Sequence, residues 1–588
     1  MDEAVLEGSY GVASTPVARR PNILLLITDQ QRRPMHWPDE PGWLRQLMPN
    51  DQAIADTAVT FERAYTATAM CSPSRASMLT SVYPADHGVG LTLTAGDLKP
   101  NRSNSPAVIA EMKRMLREGT VDRDRLLRSF ARGMLDIGPH SGNEPELPID
   151  LPSIGSMMGA AGYHVAYRGK WHLTHALGTP EETGMLSGWG EADSKRLEED
   201  YGLLGWEPPD AGENAKAENF GGGNAGRLGV GWDEEYTRQV ERFLAADDLP
   251  EPFCLIVSLV NPHDVLGYPD SYIAGGFDRA EFADLDVQLP ESVDEDLANK
   301  PDVHALMRLG STAYMGPVDS REAQLDYVNF YAHLHRVVDE KIGRILNALG
   351  PSDDLTSLRS RTILCRVADH GEMGMSHGGL RQKMFNAYEE TINIPLVVSN
   401  PVLFPEAKSS KALVSLIDLL PTFLGIAGKG DAPEVGGMHG VDLGAILAHH
   451  AEPDRDAVSR VEVDLDPLLE VAPSPTVREV IHFTFDDHQA ATALQNGAGQ
   501  PNRVRTVRTD HAKFSLYFDP EGKRDSEYEL YDLERDPIEV ENLVDYRDGE
   551  TLDSSNTKLR SGMGELLETT MEEFGTTPAQ AIRQTKAS

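Results

Sequence analysis

NILLLITDQ, Asn22 to Gln30, places five branched apolar residues in a row and then stops abruptly at Thr28, Asp29 and Gln30. A strand with one face in water would alternate apolar and polar residues, and this run does not. It predicts instead a strand buried on both faces, as in the parallel sheets of α/β proteins. The pattern recurs three times. GYHVAYRG (162–169) leads into Lys170 and His172, FCLIVSLV (253–260) into Asn261, Pro262 and His263, and TILCRV (362–367) into Asp369 and His370. Between such runs lie helical periods. LDYVNFYAHLHRVVDEKIGRILNALG (325–350) carries apolar residues at Phe330, Leu334, Val338, Ile342, Ile345 and Leu349, and Gly350-Pro351 ends it.

Strands alternating with helices predict an α/β fold: an open, mostly parallel sheet flanked by helices. Ligands of such sheets bind beyond the carboxyl ends of the strands, so the four polar clusters are expected to converge on one edge. The 588 residues exceed one small core, which suggests a large domain with insertions or two domains. We place insertions around 92–150 and 178–247, and a C-terminal subdomain at 477–588. The second insertion contains FGGGNAG (220–226), Trp189, Trp206 and Trp232, and reads as either a lid or a packed surface loop. A helix is expected in SLIDLLPTFLGIAG from Ser415. Four strand-like runs, EVIHFTF, RVRTVRTD, KFSLYF and EYELYDLERDPIEVENL, then predict an antiparallel sheet, closed by an amphipathic helix near 558–574.

Charge narrows the partners. With 54 Lys and Arg against 93 Asp and Glu the net charge is -39, which repels nucleic acid and anionic lipid, so neither is expected. The apolar run from Ile23 is too short for a membrane span or a signal peptide, although Arg19 and Arg20 stand before it as in a twin-arginine signal. Three cysteines make no disulfide framework, and a cytoplasmic location is expected.

Cys254 and Cys365 sit in strand-like runs, where a thiol acts as a small hydrophobe. Cys71 does not; it lies in AYTATAMCSPSRASMLTSVYPADHG (64–88), read as a polar Ser/Pro turn. Asp29, Gln30, Asp369 and His370 offer carboxylate, amide and imidazole ligands suited to a calcium, magnesium or manganese ion. Each also has an ordinary reading, as a helix cap or a hydrogen-bonded loop histidine. Lys170, His172, His263 and Lys383 supply cations and proton carriers, which beside a metal imply an anionic substrate.

CSPSR followed by ASMLTSVYP resembles the signature of the sulfatase family, and PNILLLITDQ, GKWHL, NPHD, ADHGEMG, Lys383, SLIDLLPTFLGIAG and YELYDLERDPIEVENL resemble further family segments in family order. The resemblance implies an alkaline-phosphatase-like catalytic domain over about 20–450 and a sulfuric ester hydrolase. It implies that a cysteine-oxidising maturation enzyme converts Cys71 to formylglycine, whose hydrate attacks the sulfur of a small-molecule sulfate ester. By motif position, Asp29, Gln30, Asp369, His370 and the residue-71 oxygen would hold one divalent cation, calcium before magnesium or manganese. Arg75 would steady the diol and the carboxylates, Lys170 and Lys383 would bind sulfate, His263 with Lys383 would protonate the leaving oxygen, and His172 would be the base that releases sulfate. Self-association is left open.

The pairs Asp29-Gln30 and Asp369-His370 resemble the choline sulfatase and phosphonate monoester hydrolase branch, yet Val265 stands where choline sulfatases usually have proline. The alternatives are therefore a phosphonate monoester or phosphodiester hydrolase, and an inactive homologue that serves as a binding module. Tyr201, Trp206 and Trp232 could cage a quaternary ammonium or simply pack. The intact Lys170 and His172 pair favours sulfate, because the phosphonate branch resembles this chain less there and usually carries neutral hydroxyls.

Overall fold

In a computed structural model, β1 (Asn22–Asp29) is buried from end to end. The structure describes residues 19–37, 42–93, 114–115, 118, 144–179, 188–211, 220–224, 229–453, 455–461, 463–487 and 499–578. Ile23, Leu25 and Ile27 enter one hydrophobic cluster, and Leu24 and Leu26 enter another on the opposite face. That division is why the run does not alternate. At about 2 kcal/mol per buried aliphatic side chain, these five residues contribute on the order of 10 kcal/mol before conformational entropy is charged against them.

The remaining strands are β2 (Ala58–Tyr65), β3 (His164–Gly169), β4 (Phe253–Pro262), β5 (Thr362–Ala368), β6 (Asn393–Ser399) and β7 (Lys408–Ser415). They form a sheet in the order β3-β4-β1-β5-β6-β2-β7. Strands β3, β4, β1 and β5 run parallel, with Leu25 opposite both Ile256 and Cys365. Only β6 is antiparallel to its neighbours, and β2 and β7 pair in parallel. The parallel run decides the site: Asp29, Lys170, His263 and Asp369 all follow strand ends on one edge.

Helix α1 (Cys71–Thr80) packs on one face, and α2 (Trp232–Leu244) and α4 (Arg321–Leu349) on the other; α3 (Asp302–Met315) precedes α4. The helix expected from Ser415 begins as a 3-10 turn, Leu416–Asp418, and continues as α5 (Leu419–Ile426), because β7 extends to Ser415. The four late runs become β8 (Ile481–Phe485), β9 (Arg503–Arg508), β10 (Ala512–Phe518) and β11 (Glu527–Asp532), an antiparallel sheet in the order β11-β10-β9-β8. Helix α6 (Thr557–Glu573) covers it through Met563, Leu567 and Met571. Most of 92–150 lies outside the described residues. No described helix is long and apolar enough to cross a membrane.

A buried ionic cluster joins the two sheets. Glu389 faces Arg508 and Lys513, Lys513 pairs with Glu539 at 2.5 Å, and Lys300 pairs with Glu295 at 3.0 Å. His377 lies between Glu295 (2.6 Å) and Glu390 (3.5 Å), stacked on Tyr388, and Glu390 also meets His36. Burial opposes charging His377, but Glu390 and Glu295 outweigh it and raise its pKa to about 9. A raised pKa stabilises the fold fully below the unfolded value near 6.5, and the gain is lost as pH climbs through about 9. We expect the melting temperature to fall between pH 7 and 9.5, by the equivalent of a few kcal/mol at most. His377→Gln should flatten that fall in thermal denaturation; an unchanged slope would remove His377 as its source.

Candidate active site

Asp29 ends β1, Asp369 follows β5, and Cys71 opens α1. One ligand atom each from Asp29, Cys71, Asp369 and His370 lies within 4.8 Å of all the others, and the four side chains are fully buried. His370 Nε2 stands 3.1 Å from Cys71 Sγ, 3.6 Å from Asp29 Oδ1 and 3.7 Å from Asp369 Oδ1. The structure corrects the reading of Cys71 as part of a polar turn. It is the first residue of a ten-residue helix and has no exposed surface. The Cys-X-X-X-Arg spacing then follows from the helix, since residues four apart share a face.

Arg75 uses that face to bridge the two carboxylates. Its Nη2 donates to Asp29 Oδ2 at 3.0 Å and its Nε to Asp369 Oδ2 at 3.1 Å, while Nη1 donates to the Lys170 carbonyl and Ser258 Oγ. Lys170 Nζ donates to Asp29 Oδ2 at 2.7 Å. Burial alone would raise the Asp29 carboxyl, but Lys170, His263, Arg75 and His370 together hold it well below the ordinary range. Burial, with Lys383 nearby, lowers the His370 pKa, so the ring is neutral. Its Nδ1 meets the Gly371 carbonyl at 3.0 Å, and a carbonyl can only accept, so Nδ1 carries the proton and Nε2 turns a lone pair into the cluster.

This donor set fits a divalent cation: two carboxylates, an imidazole with the right nitrogen inward, and the residue-71 atom. Gln30 adjoins it in the left-handed region at φ 61°. Its Oε1 accepts from Lys383 Nζ at 2.8 Å, and its Nε2 donates to Glu372 Oε2 and Gln382 Oε1. We expect Asp369→Ala to reduce bound metal to well under half of the wild-type stoichiometry by elemental analysis; full retention would reject this ligand set.

His172 is held by its backbone as much as by its ring. At φ 58°, its N–H and that of Trp171 donate to Asp210 at 2.6 and 3.0 Å. Its Nε2 faces the Leu93 carbonyl at 2.6 Å, and a carbonyl can only accept, so Nε2 carries a proton and Nδ1 is the nitrogen placed to take one up. The Leu93 N–H in turn donates to Ser72 Oγ, beside Cys71. His263 begins the 3-10 turn after β4 and is buried.

Several residues outside the predicted set support the site. Ser74 Oγ donates to the Asp369 carbonyl, and Tyr331 Oη to the Gln30 carbonyl. Glu372 stands inside ADHGEMG, and its carboxylate could have been suspected from its place two residues beyond His370. Tyr201 and Trp206 are committed elsewhere: Tyr201 Oη donates to the Leu147 carbonyl, and Trp206 Nε1 to the Gly169 carbonyl, with its ring against Trp189. Packing accounts for both. Trp232 stacks on Tyr236 at the start of α2.

Comparison with known proteins agrees with the motifs. The family model described as Sulfatase matches residues 21–117 and 120–429. The uncharacterised sulfatase YidJ of Escherichia coli is 27% identical over 424 residues, covering 70% of this chain and 68% of its own. A choline-sulfatase of Rhizobium meliloti is 24% identical over 551 residues, covering 90% and 83%. Among solved structures, a phosphonate monoester hydrolase from Silicibacter pomeroyi superposes with a TM-score of 0.55 at 19% identity, covering 95% of this chain and 96% of its own. The fold is thus the alkaline-phosphatase-like one.

Proposed function

We infer that this chain, which belongs to the sulfatase family and is a sulfuric ester hydrolase, works through an oxygen nucleophile carried by residue 71. The observation that carries the reading is the buried group of Asp29, Cys71, Asp369 and His370, with Arg75 clamping both carboxylates. The Cys71 thiol marks the place of a formylglycine hydrate, which a maturation enzyme would make. A divalent cation, calcium as our first candidate, would be held by the two carboxylates, His370 and residue 71, and would supply electrophilic activation there. One hydrate oxygen forms a bond to sulfur as the bond from sulfur to the alcohol oxygen breaks. His263, with Lys383 beside it, donates the proton that the departing alcohol takes.

Release is the second half. His172 Nδ1 removes the proton of the other hydrate hydroxyl, the aldehyde re-forms and sulfate leaves, so water need not attack sulfur. Lys170 and Lys383 bind the sulfate oxygens; an ammonium has three donors, so the contact between Lys170 and Asp29 leaves this role open. We place the enzyme in the cytoplasm on its cysteine usage.

Steady-state kinetics on matched aryl esters tests the substrate class. Preorganised cations favour a monoester whose charge shifts toward the leaving group. We expect kcat/KM for the sulfate to exceed that for the phosphonate monoester and the phosphodiester by at least about tenfold, ~1.4 kcal/mol. His172→Ala should complete one turnover and stall with residue 71 sulfated, visible as a mass increment. Equal or faster diester hydrolysis would move the assignment to the phosphonate and phosphodiester class.

A further inference from the structure

A cavity adjoins the segment that leads into Lys383. It encloses about 240 Å³, and Arg308, Arg381, Thr312, Asp319, Gln324 and Met375 are among the residues that line it. Two arginines therefore line one small space, against a single lining carboxylate, Asp319, which is exposed. Neither arginine forms an ion pair among the described residues, in a chain of net charge -39. Arg308 Nη1 donates only to the Gly378 carbonyl, at 3.2 Å. Arg381 is 5% exposed, and its Nη2 donates to the Gly316 carbonyl at 2.9 Å. Its Nη1 is buried without a hydrogen-bond partner.

A guanidinium has five donors, and leaving one buried and unmatched costs more than an ordinary hydrogen bond returns. Such a group in a native structure calls for an explanation, an ordered water or a bound ion among them. The position is fixed from behind. The Arg381 guanidinium lies 5.8 Å from the centre of the Tyr327 ring, and Tyr327 Oη donates to Glu372, the carboxylate that holds Gln30. The cavity is large enough for an oxyanion with a small organic body and is set apart from the Cys71 cluster.

We propose that the Arg308 and Arg381 cavity is a second oxyanion site, binding a sulfate or carboxylate group through paired guanidinium donors. Paired arginines suit the planar edge that these groups present, through two parallel hydrogen bonds each. The oxyanion is either a second anionic group of the ester substrate or free inorganic sulfate. The site stands on the cavity and its two arginines, and does not require the hydrolytic reading above.

Crystals of the full chain soaked in selenate, free of other oxyanions, should show an anomalous peak between Arg308 and Arg381. Arg381→Gln should remove it, and so should Arg308→Gln, whose half-buried side chain makes misfolding a smaller concern. A cavity holding water alone in the wild type, or a peak that survives both substitutions, overturns the proposal. Kinetics then separates the sources. If the substrate supplies the anion, Arg308→Gln should raise KM about tenfold for an aryl sulfate bearing an added carboxylate, with the carboxylate-free ester unaffected. If free sulfate is the ligand, the same variant should instead weaken inhibition by inorganic sulfate about tenfold. No change in either measurement also overturns it. A chain found not to cleave sulfate esters would leave the crystallographic result standing.

Discussion

Cys71→Ala abolishes steady-state turnover, by at least about 10⁴-fold or ~5.5 kcal/mol in the transition state, while the protein still folds. The loss is large because alanine cannot be oxidised to an aldehyde, and residue 71 is the position grouped with Asp29, Asp369 and His370. The fold survives because only one sulfur is removed from the start of a helix whose remaining buried residues, such as Met78 and Leu79, still pack. A stability cost of about 1 kcal/mol is expected for so small a deletion. Activity assays, together with peptide mass spectrometry across residue 71 in the wild type, check the result. Full activity with an unmodified thiol would refute the nucleophile, and a chain that fails to fold would make Cys71 a structural residue.

Arg75→Met destabilises the protein by about 3 to 5 kcal/mol and removes activity as well. Arg75 is 1% exposed and touches both Asp29 and Asp369, so its loss leaves two buried carboxylates facing each other with Lys170 as the nearest remaining cation. Methionine retains much of the volume, which separates lost charge from lost packing. Urea denaturation of Arg75→Met beside Cys71→Ala is the appropriate measurement, because both are inactive and only the first should shift the midpoint strongly. A midpoint within about 0.5 kcal/mol of wild type would show that the carboxylates are neutralised by some other means.

The sequence by itself determined four of the seven strands of the main sheet, β1, β3, β4 and β5, because a segment apolar on both faces reads as a strand of a parallel sheet covered on both sides, whereas β2, β6 and β7 carried no such signal. It also determined that Asp29, Lys170, His263 and Asp369 meet, since strand ends of a parallel sheet share one edge. The Cys71 to Arg75 spacing was legible as a motif, but its geometry was not: a Ser/Pro-rich stretch reads as a turn until Asp369, Ser258 and the Lys170 carbonyl, from three other segments, hold it as a buried helix. Tertiary structure alone decided which ring nitrogen of His172 carries the proton, because that depends on the carbonyl of Leu93, 79 residues away in sequence. It decided likewise that Glu372 anchors Gln30 and that Trp206 packs against Trp189 and serves no cage. Periodicity reports which faces are buried. The partner that each polar atom meets depends on long-range contacts, which no local pattern encodes.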